Sequence, residues 1–337
     1  MSYKQIIINK FGGPDMMRVI EKETLPEPAA GEVRVKVLAA SATFTDTLVR
    51  KGIYYGFKET PPLSPGYDMV GIVDKLGAGM AITNIKVGQM VADLTVWGAY
   101  TEYMLRRVDS LVPVPSELDP AEAVSMILSY VTAYQLLHRA AKIMRGQRIL
   151  VHGAGGAVGT SLLQLGRLLD LEMYGTASVS KHALVKSLGG IPIDYRNEDF
   201  LARMRAIGGV DAAFDFIGGD NFKRSFKSLR KEGILVPYGF YDNAMDKGGS
   251  VPIDYMKVAL WNLLPNGRST TFYSIADLRK KQPDWFREDL NALFALLAEA
   301  KIKPVIERRM SLVDAVTAHK LIEGAAVKGR IVLEINR

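Results

Sequence analysis

Arg148-Ile-Leu-Val-His-Gly-Ala-Gly-Gly-Ala-Val-Gly159, running on into Thr160-Ser-Leu-Leu-Gln-Leu165, is the stretch whose reading decides the fold. A short apolar run ends in a cluster of glycines. The glycines open directly into a segment with Val158, Leu162, Leu165 and Leu169 at helical spacing. Strand, Gly-rich turn and helix in that order put backbone N–H groups at a helix N-terminus, where a pyrophosphate can be held. A bare Gly-x-Gly-x-x-Gly match is a weak signal, because ordinary turns also use glycine. The strand before it and the helix after it give it weight.

Downstream, strands are expected at 148–152, 172–177, 211–217, 233–238 and about 269–274, with helical patterns between several of them. That alternation is the signature of an α/β fold with a Rossmann doubly wound parallel sheet. Residues 284–300 predict an amphipathic helix, with Phe286, Leu290, Leu293, Phe294 and Leu297 on one face. A second helix is expected from Ser311, capped with Asp314 three residues on, and a last strand at 331–335. Upstream, the chain is β-rich. It opens on a first strand, Val33-Arg-Val-Lys-Val37 alternates at period two, and turn clusters such as Pro26-Glu-Pro28 and Pro65-Gly66 punctuate it. Short strands with frequent turns suggest a small barrel. A helix is expected from Asp119 to about Ala141, with Pro120 at the first position and Glu122 completing a capping box.

The length of 337 residues allows two domains. No apolar run reaches the roughly 20 residues that span a bilayer. The N-terminus lacks a signal-peptide pattern. There are no cysteines, which removes disulfides, thiolate zinc sites and a Cys nucleophile, and fits a cytoplasmic protein. Of the net charge of +7, all lies in residues 221–337, which carry 20 Lys/Arg against 13 Asp/Glu. These charges are scattered singly, without aromatic interleaving, so they read as a solvated surface and nucleic acid is not expected as a partner.

The second strand of the dinucleotide unit, Glu172-Met-Tyr-Gly-Thr-Ala177, should end near the adenosine ribose. An NAD site usually places Asp or Glu there. Here Ala177-Ser-Val-Ser-Lys181 follows, and no carboxylate occurs between Glu172 and Asp194. Ser178 and Lys181 leave room for a 2′-phosphate and supply donors to it, so the expected cofactor is NADPH. The other reading of Lys181 is a solvated lysine in a first helical turn.

Further motifs are Asp46-x-x-x-Arg50-x-Gly52-x-Tyr54, Pro65-Gly66-Tyr67-Asp68-x-x-Gly71, Gly98-Ala-Tyr-Thr-Glu-Tyr103, Leu128-Ser-Tyr-Val-Thr-Ala-Tyr134, Phe214-Asp-Phe-Ile-Gly-Gly219 and Gly329-Arg-Ile-Val-Leu333. In this order, over nearly the whole chain, they resemble the medium-chain dehydrogenase/reductase superfamily, in its zinc-free quinone oxidoreductase branch. The resemblance implies a GroES-like, partly open β-barrel domain over 1–123, a Rossmann domain over 124–276, and a C-terminal segment, 277–337, that returns to the first domain. It also implies a homodimer. Zinc members place metal ligands where this chain has Thr43, Tyr67 and Asp68, and no usable Cys and His set remains.

Without zinc, the substrate must be polarised by hydrogen bonds and the hydride aimed by position. Thr43 stands where quinone reductase relatives often have Asn, and offers one hydroxyl in place of an amide. Tyr54 matches a tyrosine of the relatives' substrate pocket. Its phenol could donate a hydrogen bond or a proton, or simply pack. Asp46 is expected to order its loop. Thr132 matches a residue near the nicotinamide ribose. The phosphates are expected on the N–H groups of Gly155, Gly156, Ala157 and Val158. Tyr195, just after the third strand position, matches a tyrosine that meets the 2′-phosphate, with Lys181 as its partner. Gly218 and Gly239 follow the next two strands, and Phe240 and Tyr241 could cover the nicotinamide. Lys328 or Arg330 could reach a cofactor phosphate. Met256, Leu260 and Trp261 could wall the pocket, or belong to a core helix. The four histidines lack ligand spacing, and His152 is expected to support the glycine loop.

The expected function is NADPH-dependent reduction of a small-molecule electrophile, either a quinone or an α,β-unsaturated carbonyl. Two rivals stand beside it. One is a cofactor-holding binding protein, like lens crystallins or vesicle-associated relatives, with RNA or membrane contact. The other is an enoyl reductase acting on carrier-bound substrates.

Overall fold

The computed structural model describes residues 1–79, 85–245 and 250–335. In chain order the elements are β1 (Tyr3–Ile8), β2 (Met17–Lys22), β3 (Glu32–Ala42), α1 (Phe44–Lys51), β4 (Met69–Leu76), β5 (Met90–Asp93), β6 (Tyr103–Arg107), β7 (Val112–Pro113), α2 (Pro120–Ser125), α3 (Val131–Gln135), β8 (Arg148–Val151), α4 (Ala157–Leu168), β9 (Glu172–Ala177), α5 (His182–Ser187), β10 (Gly190–Asp194), α6 (Phe200–Ala206), β11 (Val210–Asp215), α7 (Asp220–Lys227), β12 (Leu229–Pro237), α8 (Tyr241–Ala244), α9 (Val251–Trp261), β13 (Ser269–Thr270), α10 (Ile275–Lys281), α11 (Pro283–Ala298), β14 (Ile306–Ser311), α12 (Ala315–Glu323) and β15 (Arg330–Glu334). They fall into two compact units, one of residues 1–128 with 287–337 and one of 129–286.

The first unit is a GroES-like β domain. Its main sheet runs β14-β15-β3-β4-β5-β7, with β6 also on β3 and a separate β1-β2 hairpin. The C-terminal strand β15 pairs antiparallel with β3, Ile331 against Ala42. The returning segment is therefore part of this sheet. Ile6, Val33, Val35, Val37, Met69, Val91, Ile331 and Leu333 fill the core. α12 begins as expected: the Ser311–Asp314 capping box forms at the 3₁₀ turn that leads into it.

The second unit is a Rossmann domain. Its six strands lie in the order β10-β9-β8-β11-β12-β13, and every pair is parallel. The order reverses between β8 and β11, so the crevice beyond the carboxyl ends of those two strands is the topological switch point. Ile149, Leu150 and Val151 are fully buried, as a strand covered on both faces requires.

Several expectations are corrected. The strand set omits β10, whose Gly190-Ile-Pro-Ile-Asp194 contains a proline. A strand at the sheet edge tolerates Pro192, because its missing N–H breaks no ladder bond. The strand expected to 274 keeps only Ser269 and Thr270. The helix expected from Asp119 to about Ala141 forms as one continuous helical run over 120–140, but not with one hydrogen-bond pattern: α2 passes into a π-helical stretch at 126–130, and α3 into another at 136–140. Asp119 does accept from the Glu122 N–H. The returning half of that capping box is not made.

Candidate active site

In the Rossmann unit the glycine loop leaves β8 and enters α4 with Gly156 as N-cap. Ala157 and Val158 occupy the first turn, where amides have no intrahelical acceptor. Gly156 is a correction: its N–H bonds to the Gly153 carbonyl at 2.9 Å and closes the turn. Gly153 has φ 65°, and a Cβ there would lie 2.5 Å from Phe216 Cε1. A Cβ on Gly159 would lie 2.3 Å from the Gly153 carbonyl oxygen and 2.6 Å from Ala154 Cα. The helix thus approaches the loop backbone closer than any side chain allows.

His152 holds this loop from below, as expected. It is buried. Its Nδ1 lies 3.1 Å from Thr176 Oγ1 and its Nε2 2.9 Å from Ser225 Oγ. Ser225 donates to Asp215 Oδ2 at 2.6 Å, and Thr176 Oγ1 accepts the Gly153 N–H at 3.2 Å. Burial pushes the imidazole below its ordinary range, so it is neutral. The chain from Asp215 to Gly153 ties the ends of β9 and β11 to the first glycine.

The ribose side forms at the ends of β9 and β10. Ala177 and Asp194 are register partners, so Ser178 and Tyr195 leave neighbouring strands at one level, roughly 5 Å apart. The Lys181 stem lies over Gly155, where an added Cβ would be 2.7 Å from Lys181 Cδ. Ser178 Oγ is 3.1 Å from Ser180 Oγ. Tyr195 is 54% exposed, and the Arg196 guanidinium sits 5.5 Å from its ring centroid. Arg196 escaped the sequence reading. Its only signal was a second cation directly after Tyr195. The nearby carboxylate, Asp194, is turned into its own loop: bonds from Asn197 and the Arg196 N–H hold it below the usual range.

Beyond β11 and β12, Phe216 is a second residue that sequence reasoning missed. It touches the Gly153 position, and a Cβ on Gly239 would lie 3.1 Å from Phe216 Cβ. The rings of Tyr238 and Tyr241 pack against it, each at 5.8 Å. Gly218 has φ 95° at the end of β11. The Tyr241 N–H bonds to the Phe216 carbonyl. Phe240 packs among Phe222, Tyr255 and Phe272. Thr132 is buried on α3, which packs on α4.

α9 separates its expected pocket residues. Trp261 turns inward against Phe226 at 5.0 Å, as part of the core. Met256 and Leu260 lie on the outer face, 58% and 52% exposed. The helical period decides this: Val258 and Trp261 share the inner face, and Met256 and Leu260 fall on the other.

In the β unit, Thr43 is the N-cap of α1 and forms a full capping box with Asp46. The Thr43 hydroxyl donates to Asp46 Oδ2 at 2.6 Å and accepts the Asp46 N–H at 3.2 Å. Its one hydrogen is therefore committed inside the chain, which corrects the reading of Thr43 as a donor to substrate. Asp46 is fully buried and orders the loop as expected. It also accepts from the Thr43 and Gly66 N–H groups. Burial, aided by the charge of Asp68, pushes its carboxyl up to about 7.

Behind Asp46 runs a chain of buried groups. Arg50 Nη1 meets His319 Nδ1 at 3.1 Å, and Tyr100 Oη meets His319 Nε2 at 3.1 Å. A guanidinium only donates, so Nδ1 accepts and Nε2 carries the hydrogen toward Tyr100. Arg50 also pairs with Glu323 at 2.6 Å.

Arg330 lies buried at the start of β15. Its Nη1 is 3.5 Å from Ser41 Oγ, and its charge lowers the Asp68 carboxyl against the burial that pushes it to about 6. Lys328 is exposed, and its N–H bonds to Glu307.

The phenols of Tyr54 and Tyr67 meet at 2.7 Å, with rings edge to face at 5.8 Å. Tyr67 is fully buried. Among the described residues no group of three or more His, Cys, Asp or Glu side chains could hold a metal ion. No helix among them is long and apolar enough to cross a membrane.

Comparison with known proteins agrees with both units. Residues 29–116 match the family described as alcohol dehydrogenase GroES-like domain, and 190–333 that described as zinc-binding dehydrogenase. The chain is 30% identical over 318 residues to the synaptic vesicle membrane protein VAT-1 of Tetronarce californica, covering 91% of this chain and 81% of that protein. It is 29% identical over 343 residues to a 2-haloacrylate reductase of a Burkholderia species, covering 97% of each. The structure of Escherichia coli quinone oxidoreductase complexed with NADPH superposes with TM-score 0.85 at 27% identity, covering 98% of this chain and 99% of that one.

Proposed function

The chain belongs to the medium-chain dehydrogenase/reductase superfamily, in its quinone oxidoreductase and VAT-1 branch, and on that premise we propose that it reduces quinones or α,β-unsaturated carbonyls with NADPH, without zinc. The observation that carries this reading is the cradle at Gly155, whose bare Cα lets the Lys181 stem cross the loop. A dinucleotide fits this unit. The N–H groups of Gly155, Ala157 and Val158 would hold the pyrophosphate. Ser178, Lys181, Tyr195 and Arg196 would hold a 2′-phosphate, with no carboxylate at the end of β9 to repel it. Gly218, Gly239 and Tyr241 would lie along the nicotinamide side, and Thr132 near its ribose. Bound NADPH supplies a hydride. The chain supplies position and a phenol, Tyr54, able to donate to a carbonyl oxygen. The NADPH of the Escherichia coli structure and the haloacrylate named for the Burkholderia enzyme support cofactor and substrate class respectively.

The test is a fluorescence titration with NADPH and NADH, followed by NADPH oxidation over a panel of quinones and enones, with and without chelator. Expected are NADPH affinity in the micromolar range or tighter, NADH at least about tenfold weaker, and turnover indifferent to chelation. Equal affinity for the two cofactors overturns the assignment of Ser178 and Lys181. Metal-dependent turnover overturns the zinc-free reading. A homodimer belongs to the same proposal. α9 exposes Ile253, Met256 and Leu260 on its outer face, an apolar patch of the kind that marks an interface. A second copy would cover it, and sedimentation velocity reads the stoichiometry directly.

A further inference from the structure

We propose that Tyr67 is a positioning residue for Tyr54, the two phenols acting as one donor to an oxygen that gains negative charge. This rests on the reductase reading of the same site. The two hydroxyls are 2.7 Å apart and differ in setting: Tyr67 is fully buried, while Tyr54 is partly exposed on the loop after α1.

The backbone holds Tyr67 still. Its carbonyl accepts the Val96 N–H at 3.0 Å, and Val96 sits at φ 69°, a costly conformation for a β-branched residue. On either side, the Gly66 N–H is fixed by Asp46 and the Asp68 carboxylate by the Ser41 N–H. Tyr54 is looser. Its carbonyl caps a short turn at Phe57, and its ring rests edge-on against Tyr67. When Tyr67 donates to the Tyr54 oxygen, the Tyr54 hydrogen is left for an acceptor other than Tyr67, and a charge forming on the Tyr54 oxygen already has its donor in place.

The step balances as follows. In the proposed reduction, bound NADPH would supply a hydride to the substrate carbon, and the carbonyl oxygen would gain the displaced electron pair. That oxygen takes the Tyr54 proton, and water returns a proton to the Tyr54 phenolate. Tyr67 loses nothing. It stabilises the phenolate by a hydrogen bond to an ionised oxygen, the stronger kind.

The test is a double-mutant cycle of Tyr54→Phe and Tyr67→Phe, each of which keeps the ring and removes one oxygen. Two readouts are used: turnover with the best substrate of the panel, and the affinity of para-nitrophenolate, a stable oxyanion, followed by its absorbance without turnover. Expected is a loss of about tenfold in both kcat and para-nitrophenolate affinity for Tyr67→Phe, with NADPH affinity and KM little changed. In the Tyr54→Phe background, Tyr67→Phe should add nothing. Additive effects, an unchanged para-nitrophenolate affinity, or no binding by the wild type each overturn the dyad. If no quinone or enone turns over while the binding cycle is non-additive, the reductase reading falls and the dyad stands. If turnover occurs and the cycle is additive, the dyad falls alone.

Discussion

Lys181 and Arg196 reach the proposed ribose site from different strands. Lys181 lays its stem over Gly155, and Arg196 stacks over the exposed ring of Tyr195. A charge-assisted bond to phosphate is worth about twice a neutral one. Lys181→Ala is therefore expected to weaken NADPH by about tenfold and NADH hardly at all, read by parallel titrations. An equal loss for both cofactors would assign Lys181 to the loop's packing instead. Lys181 was legible in sequence because the missing carboxylate after β9 is a statement about composition. Arg196 was not, because its role depends on which ring it covers. Thr43 failed for a related reason. Its residue type permits donation to a substrate, but only the folded geometry shows that the Asp46 carboxylate already takes its hydrogen.

α4 and its glycine loop form the element on which the nucleotide reading depends. Gly159 lies where the helix touches the loop backbone, with a Cβ 2.3 Å from the Gly153 oxygen. Backbone cannot yield as a side-chain end can. Gly159→Ala should push α4 away from β8, destabilise the Rossmann unit by about 1–3 kcal/mol as an overpacked site does, and lower NADPH affinity. Gly155→Ala meets the flexible Lys181 stem instead and should cost less stability. Denaturation midpoints and cofactor titrations of the pair separate the two effects. Equal stability losses would refute the distinction. This element was readable from sequence, since strand, glycines and apolar spacing lie within eighteen consecutive residues. β10 and α9 were not. A proline inside a strand and apolar residues on both faces of a helix acquire meaning only from their neighbours: the open sheet edge for Pro192, and Phe226 for Trp261.

Over the whole molecule, buried titratable groups set opposing responses to pH. Burial, with Arg50 beside it, lowers His319 from 6.5 to about 3. Between those values the unfolded chain binds the extra proton. The stability this histidine contributes is therefore complete above about 6.5 and is lost as pH falls toward 3. Asp46 and Asp68 carry raised values, about 7 and about 6, and work the other way: their contribution is present below their unfolded value of 3.8 and is lost as pH rises through 6 and 7. His319→Gln removes the first response. Its deficit against the wild type should be widest near pH 7 and narrow as pH falls to 4, read by thermal denaturation across that range. A gap independent of pH would refute a neutral, buried His319.

Local pattern determined the class of fold, the nucleotide loop, the absence of thiolate ligands and the loss of the zinc set. Each is carried by residues adjacent in sequence or by composition alone. The tertiary structure decided what depends on distance between remote segments: the His152 chain under the loop, Arg330 turned inward toward Asp68, the Arg196–Tyr195 stack, and the meeting of Tyr54 with Tyr67. Those two phenols stand thirteen residues apart on a loop and at the mouth of a strand. No periodicity links them, and only the tertiary packing of the β domain brings their oxygens to hydrogen-bond distance.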